Sequence, residues 1–154
     1  MARVIDPKTI EQRMSTVYPK SLAKAVEGRG KRALTEKLGL TQFGVNVTTL
    51  APGSASSHRH WHVSEDEFCY ILDGELTLIT NEGEQVLTVG MAVAFPANEE
   101  NGHQLVNKSA KPAIYLEVGT RAQVDRCFYP DVDMDLTKAG GKFTVRHKDG
   151  RPWE

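Results

Sequence analysis

The sequence predicts an all-β domain whose sheet closes on itself as a barrel or jelly roll. From residue 42 onward, short segments rich in Val, Ile, Thr, Phe and Tyr recur about every eight to twelve residues, separated by Gly, Pro, Asn or Asp. Asp73-Gly74 lies between two apolar segments and is typical of a tight hairpin turn, because such a turn needs positive φ. Residues 42–130 contain no helix-period stretch that could cover a sheet, so the sheet must pack on itself.

The individual strands are predicted from alternation of apolar and polar residues. Leu76 and Leu78 share one face of their segment, while Glu75 and Thr77 share the other, as in a half-buried strand. The same criterion, with the turn residues between segments, predicts strands at 42–50, 58–62, 67–72, 75–80, 85–89, 92–95, 103–107, 113–118, 124–129 and 142–146. The segment Asn81-Glu82-Gly83-Glu84 is predicted to connect two of these strands as a hairpin.

The length of 154 residues allows one globular domain. Residues 1–40 are predicted to form an N-terminal arm with helical turns at 8–14 and 31–38, the second of which ends at Gly39. Residues 41–130 are predicted to form the barrel. Residues 131–154 are predicted to form a C-terminal tail that packs on the barrel or on a partner subunit.

Composition and charge exclude several classes of partner. The formal net charge of −1 provides no field that would gather nucleic acid or an anionic membrane. The arm is basic, but aromatic residues do not interleave with its charges, which favours a solvated segment. No apolar run approaches the length of a membrane-spanning helix. Cys69 and Cys127 form no CxxC motif and the first residues lack an apolar signal segment, so we expect a cytoplasmic protein with a small-molecule ligand.

Clustered histidines indicate a metal site. His58, His60 and His62 are spaced so that all three project to one side of a strand, and His103 is a fourth of the chain's five histidines. Imidazoles crowded on one face favour metal binding over separate surface roles. Cys69 shares the parity of Glu67, so it could face the metal cavity, but the role of a small buried apolar filler is favoured. Tyr115 and Glu117 share one face of a later strand, where either a proton-carrying role or an outward polar stripe would explain them.

Two segments resemble the consecutive motifs of the cupin superfamily. The first is Gly53-x6-His60-x-His62-x4-Glu67-x6-Gly74, and the second is Gly90-x5-Pro96 followed after a longer loop by Gly102-His103-x3-Asn107. This sequence differs from the family pattern by one extra residue after Gly53 and by the length of the loop before His103. The resemblance implies a single small cupin jelly-roll barrel. It also implies that one divalent transition metal, Fe, Mn, Ni, Co or Zn, is held by His60, His62, Glu67 and His103.

A second register of the first motif has to be weighed. His58-x-His60-x4-Glu65 has the same internal spacing as His60-x-His62-x4-Glu67. The distance from Glu67 to Gly74 matches the family spacing, which favours the second register. In the other register His58 and Glu65 would be ligands and His62 would not.

The resemblance leaves more than one function open, because one fold serves many reactions. The first hypothesis is a metal-dependent enzyme that acts on a small oxygen-rich molecule, with dioxygenase-type or Lewis-acid isomerase or lyase chemistry. The alternative is a non-catalytic module that binds a small molecule for sensing or regulation, and a storage role ranks below both. No catalytic acid or base is predicted outside the metal ligands. Small cupins are commonly homodimers, so a homodimer is expected, with the strand at 42–50 as an edge that a second chain could cover.

Overall fold

Strands dominate the computed structural model, which describes residues 1–153. The strands are β1 (Arg29–Ala33), β2 (Phe43–Leu50), β3 (Trp61–His62), β4 (Glu67–Asp73), β5 (Glu75–Thr80), β6 (Gly83–Thr88), β7 (Ala92–Phe95), β8 (Gln104–Val106), β9 (Ala113–Thr120), β10 (Val124–Phe128), β11 (Asp135–Ala139) and β12 (Lys142–Arg146). The helices are α1 (Lys20–Ala23) and α2 (Leu34–Leu38), with 3-10 turns at Pro7–Thr9 and Lys24–Val26. Within the described residues, no helix is both long and apolar enough to span a membrane.

The strands form antiparallel sheets, as the all-β prediction requires, and the predicted fold class is confirmed. In residues 1–153 there are three sheets, with the orders β1-β2-β9-β4-β7, β12-β11-β10-β3 and β6-β5-β8. The main core draws on the first and the third sheet, so it lies between their inner faces. Its buried members are Leu50, Cys69, Ile71, Leu76, Leu78, Leu87, Leu105, Ala113 and Tyr115.

A second, smaller core packs against β10 and β11 of the second sheet. Cys127 and Leu136 pack there with Tyr129 and Met134, and Tyr18 from the N-terminal region packs against them. The N-terminal region therefore covers one face of the second sheet. The division of the chain at residues 40 and 130 stays a prediction, and both flanking segments contribute strands, β1 on one side and β11 and β12 on the other. Residue 154 of the predicted tail lies outside the described residues.

Most predicted strands lie where the alternation placed them, and β5, β7 and β12 have the predicted bounds. The strand predicted at 58–62 is shorter than expected, because only Trp61 and His62 pair in a ladder with β10. His60 pairs with His103 as an isolated bridge, and the ring of His58 is turned to the carbonyl oxygen of Leu22, with 2.8 Å from Nε2 to O. The predicted hairpin at Asn81 and Glu82 is confirmed, since β5 and β6 pair up to Thr80 and Gly83.

The N-terminal region contains a strand that the sequence did not predict. β1 pairs with β2 in the register Arg29↔Leu50 to Ala33↔Asn46, so the helix predicted at 31–38 is confined to α2. It ends at Gly39 as expected, with φ of 74°. The helical turn predicted at 8–14 is reduced to Pro7–Thr9, and Arg13 instead exchanges two backbone hydrogen bonds with Lys31.

This strand also overturns the expected edge of the sheet. β2 lies between β1 and β9, so its backbone groups are paired on both sides within the chain. The prediction that a second chain covers residues 42–50 as an edge strand is therefore wrong. The homodimer itself stays a prediction.

The turn at Asp73-Gly74 is a corner between sheets rather than a hairpin. β4 pairs with β7 and β9, whereas β5 pairs with β6 and β8, so the chain changes sheets at Gly74. Gly74 has φ of 74°, and a Cβ there would lie 3.1 Å from the Cβ of Ala113 and 3.1 Å from the carbonyl oxygen of Pro112. The predicted hairpin was wrong because positive φ and close backbone approach serve a corner as well as a tight turn.

Asn107, the last residue of the second motif, has a structural role. Its side chain is fully buried, and its Nδ2 donates to the carbonyl oxygens of Leu50 at 2.9 Å and Lys111 at 2.8 Å. Its Oδ1 accepts from the backbone N–H of Ser109 at 3.0 Å. One amide thereby satisfies backbone groups from β2 and from the loop that leads to β9.

Replacing Asn107 with Ala is expected to lower the free energy of unfolding by about 3 kcal/mol, because buried backbone groups lose their partners. Urea denaturation followed by circular dichroism measures the change. The control is Gln85→Ala on the exposed face of β6, which is expected to shift stability by less than about 0.5 kcal/mol. If Asn107→Ala were as stable as the control, the bonds of Asn107 would not matter for the fold.

Candidate metal centre

The candidate centre lies where the three sheets meet. His62 belongs to β3 in the second sheet, and Glu67 begins β4 in the first. His103 immediately precedes β8 in the third sheet and is paired with His60, with 3.2 Å from the backbone N of His60 to the O of His103 and 3.0 Å in the reverse direction. The first and second sheets thus each supply one predicted ligand, and the bridge between His60 and His103 supplies the other two. The centre depends on the tertiary fold and not on one segment.

The three predicted histidine ligands converge on one carboxylate oxygen of the fourth ligand, Glu67. The Oε2 atom of Glu67 lies 2.8 Å from Nε2 of His103, 3.4 Å from Nε2 of His62 and 3.6 Å from Nε2 of His60. The Nε2 atoms of His60 and His62 are 3.1 Å apart. Candidate ligand atoms of His60, His62 and Glu67 all lie within 4.8 Å of one another. The structure therefore brings together all four residues that the motifs indicated.

The other ring nitrogen of each histidine is turned to a hydrogen-bond acceptor. Nδ1 of His60 lies 3.0 Å from the carbonyl oxygen of His58, and Nδ1 of His103 lies 3.4 Å from that of Asn101. Nδ1 of His62 lies 2.6 Å from Oδ2 of Asp125. Such contacts fix the orientation of each ring. The nitrogens that face the centre are therefore the three Nε2 atoms.

Aromatic packing further restrains two of the rings. His103 stacks on Phe95 with 3.5 Å between ring centroids and 2° between planes. His60 stacks on Tyr129 with a centroid distance of 5.5 Å. These contacts hold the imidazoles in place without occupying their ring nitrogens.

The surroundings tune the charges of the centre. Burial lowers the pKa of His60 to about 4, so its imidazole is neutral near pH 7. Burial also disfavours the charged form of His62, but the hydrogen bonds to Asp125 and Cys127 and the charge of Glu67 together outweigh it and raise the pKa to about 11. For Glu67 burial raises the pKa, whereas the hydrogen bond from His103 and the nearby imidazoles outweigh burial and lower it. The carboxylate is therefore ionised at neutral pH and can attract a cation.

The competing register is not assembled at the centre. The ring of His58 is bonded to the carbonyl oxygen of Leu22 and lies 5.3 Å from the ring of Tyr18. Oε1 of Glu65 accepts from the backbone N–H of Ala122 at 2.9 Å and is paired with the ammonium of Lys138. The geometry thus favours the register of His60, His62 and Glu67.

Asp125 is a residue of this site that the sequence analysis missed. It is 4% exposed and accepts from the backbone N–H of Ser64 at 2.9 Å in addition to its contact with His62. Cys127, two residues further along β10, pairs with His62 in register and places Sγ 3.2 Å from Nδ1 of His62. Only the alternation of β10 could have placed Asp125 and Cys127 on one face. Nothing in the motif links them to a histidine more than 60 residues earlier.

A cavity of about 800 Å³ opens beside the centre. Tyr115 and Glu117 line it, so they face inward and do not form an outward stripe. Oε1 of Glu117 accepts from Nζ of Lys31 and from Nδ2 of Asn46, both at 2.7 Å, and Oε2 accepts from the hydroxyl of Tyr115 at 3.2 Å. Burial raises the pKa of Glu117, but the charge of Lys31 and the hydrogen bonds from Lys31 and Asn46 together outweigh it, lower the pKa and keep the carboxyl ionised.

The two neutral groups near this network stay protonated. Burial raises the pKa of the Tyr115 phenol well above its ordinary value. It does the same for the thiol of Cys69, which is buried in the main core. Cys69 thus packs in the main core as expected of an apolar filler, and it also lines the cavity. Tyr115, as a neutral phenol, donates a hydrogen bond to Glu117.

Comparison with known proteins identifies the family. The family described as "Cupin domain" matches residues 46–119. A solved structure from Silicibacter pomeroyi, described as a "sugar phosphate isomerase from a cupin superfamily", is 41% identical, with 99% of this chain and 97% of that chain covered and a TM-score of 0.94. A protein from Acidithiobacillus ferrooxidans, provisionally given the name sugar phosphate isomerase, is 26% identical over 79% of this chain and 77% of that chain, with a TM-score of 0.73.

More distant similarity extends to the polyketide cyclase RemF from Streptomyces resistomycificus. It is 17% identical over 78% of this chain and 80% of that chain, with a TM-score of 0.65, and this likeness concerns the fold alone. Comparison with curated protein sequences gives no match. The motifs around His60 and His103, the antiparallel sheets and the nearly full-length similarity to the Silicibacter protein agree. The chain belongs to the cupin superfamily.

Proposed function

We propose that the protein is a metal-dependent isomerase that acts on a small sugar-like molecule. The observation that carries this proposal is the convergence of three Nε2 atoms on the Glu67 carboxylate beside a cavity of about 800 Å³. A cavity of this size accommodates a small-molecule substrate. The 41% identity to a protein described as a sugar phosphate isomerase supports the reaction class.

The donor set of the centre fits a divalent transition metal. In this proposal the ion is held by His60, His62, Glu67 and His103. Imidazole and carboxylate donors suit Fe, Mn, Ni, Co or Zn, and the absence of a thiolate from this set disfavours a closed structural zinc site. When bound, the ion supplies Lewis-acid polarisation of a carbonyl or hydroxyl oxygen of the substrate. Asp125 acts as a positioning residue, because it orients the ring of His62.

Glu117 is the group best placed to move a proton. Isomerisation of a hydroxyaldehyde to a hydroxyketone moves one proton from the carbon that bears the hydroxyl to the carbonyl carbon, and a second proton from the hydroxyl oxygen to the carbonyl oxygen. It therefore needs a base and an acid but no redox partner. Glu117 is ionised and lines the cavity. Strand pairing sets it opposite Cys69, two residues along β4 from Glu67. Glu67 is a predicted metal ligand, and Oε1 of Glu65 is held by Lys138 and the backbone of Ala122. Glu117 is also paired with a lysine through Oε1, but its Oε2 accepts from the neutral phenol of Tyr115 and is the oxygen proposed to take the proton.

The groups that contact Glu117 can assist the transfer. Tyr115 donates a hydrogen bond to Oε2 and remains a neutral phenol, while Lys31 holds Oε1. These contacts fix the carboxylate within the cavity, and the hydroxyl of Tyr115 is a proton donor adjacent to it. The chain therefore supplies a base and an acid within one hydrogen-bonded group.

Metal content tests the ligand assignment. Purified wild-type protein is expected to carry about one equivalent of a divalent transition metal per chain by elemental analysis, and His60→Ala and His103→Ala are each expected to lose it. His58→Ala is the matched control, since its ring is bonded to Leu22 outside the centre, and it should retain the metal. Unchanged metal content in both ligand variants would contradict the proposed centre.

Asp125→Asn tests the positioning role. Loss of the carboxylate that orients His62 is expected to weaken affinity for Zn²⁺ about 10- to 100-fold, measured by equilibrium dialysis. The control is Asp135→Asn, because Asp135 pairs with Arg126 on β10 and does not contact the centre. Equal Zn²⁺ affinities in the two variants would show that Asp125 does not support the metal site.

Glu117→Gln tests the base. Conversion between aldose and ketose phosphates, followed by NMR without oxygen, is expected to show kcat about 10² to 10⁴ times lower in this variant, with unchanged metal content. Glu84→Gln is the control, because Glu84 is exposed and paired with Lys108. Turnover that requires dioxygen would replace isomerisation with dioxygenase chemistry. Binding of these sugars without any product would favour a sensing module.

A further inference from the structure

Arg29 is a buried cation without an anionic partner. It begins β1, is 9% exposed and lines the same cavity as the metal centre. Its Nη1 atom donates to the carbonyl oxygen of Ser56 at 2.6 Å. Within residues 1–153, no carboxylate oxygen lies within 4.0 Å of its guanidinium. A charge that is withdrawn from water in this way is costly unless a counter-ion compensates it.

Three other cations that line the cavity each have a carboxylate partner. Lys31 lies 2.7 Å from Glu117 and Arg13 lies 2.7 Å from Glu36, while Lys138 is paired with Glu65. Arg29 is also more buried than Lys31 or Arg13. Arg121 also lines the cavity, and within residues 1–153 no carboxylate oxygen lies within 4.0 Å of it, but its side chain is exposed to solvent. Arg29 is therefore the buried cation of the cavity wall that lacks a counter-ion.

The surroundings of Arg29 are polar and offer further hydrogen bonds. Ser57 is buried, lines the cavity and has its hydroxyl 3.3 Å from that of Ser56. The phenols of Tyr18 and Tyr115 are close enough to feel the charge of Arg29, which opposes the rise in pKa that burial gives them. Burial outweighs this effect and keeps the pKa of both phenols above its ordinary value, so both stay protonated and can donate a hydrogen bond. A guanidinium has five N–H donors, and the bond to Ser56 uses one nitrogen of the fork.

We propose that Arg29 binds the phosphate group of a phosphate monoester substrate. This inference rests on the proposed isomerase function, which specifies a sugar-like substrate, and adds that the substrate carries a phosphate group. A planar guanidinium matches phosphate with paired hydrogen bonds, and the dianion neutralises a cation that sugar hydroxyls would leave uncompensated. Lys31, two residues along the same face of β1, adds positive charge nearby. The Silicibacter protein's description as a sugar phosphate isomerase agrees with this chemistry.

Phosphate binding by metal-free protein tests the proposal separately from catalysis. The protein is stripped with EDTA, dialysed and titrated by calorimetry with inorganic phosphate, then with fructose 6-phosphate and with fructose. Wild type is expected to bind both phosphates and to bind fructose at least tenfold more weakly than its phosphate. Arg29→Gln is expected to lose at least tenfold in affinity for inorganic phosphate.

Two further variants separate binding from folding. Arg29→Lys keeps the charge without the fork, so intermediate phosphate affinity is expected. Arg13→Gln removes a paired arginine at the exposed rim of the cavity and is expected to stay within twofold of wild type. Circular dichroism melting of each variant identifies the folded ones. Arg29→Lys serves as the readout if Arg29→Gln does not fold.

The outcomes distinguish this proposal from the proposed function. Phosphate binding that persists in His60→Ala supports Arg29 even if no isomerase activity is found. Wild-type protein that does not bind inorganic phosphate, or a folded Arg29 variant that binds it as tightly as wild type, would overturn the proposal while leaving the metal centre intact.

Discussion

The ionised carboxylate of Glu67, half-buried among three imidazoles, is the constraint on which the rest of the site depends. A carboxylate in such surroundings is stable only when other groups compensate its charge. Here the compensation comes from three imidazoles, of which His62 lies in the second sheet while His60 and His103 pair with each other next to β3 and β8. These residues come together only when the sheets of the barrel have packed against one another. The centre therefore forms as a consequence of folding of the barrel.

The compensation extends outward from the centre through hydrogen bonds. Nδ1 of His62 is hydrogen-bonded to the carboxylate of Asp125 on β10, and that carboxylate also accepts from the backbone N–H of Ser64. A similar arrangement surrounds Glu117, whose charge is balanced by Lys31 and whose oxygens are all in hydrogen bonds. Buried polar groups of this kind are rigid when fully satisfied. Both carboxylates are therefore held in fixed positions relative to the cavity.

The sequence predicted the parts that rest on short-range patterns. Alternation placed most strands, and motif spacing selected His60, His62, Glu67 and His103, which the fold brings together. It did not predict β1, because Arg29-Gly30-Lys31-Arg32 carries no apolar alternation and forms a strand through pairing with β2. Asp125 was missed for a related reason. Its partner is 63 residues away in the chain, and no local pattern encodes that contact.

The sequence analysis missed two strands, β1 and β11, and β1 sets the charge of the cavity wall. β1 contributes two cations to the wall of the cavity, Arg29 and Lys31. With β1 in place, Lys31 balances Glu117 while Arg29 faces the cavity unbalanced. The cavity thus has an anionic carboxylate centre that attracts a metal cation and a cationic wall that attracts an anion. A substrate with a metal-binding oxygen group and a separate phosphate would satisfy both and could bind in one orientation, which is the requirement for a base such as Glu117 to act on a defined carbon.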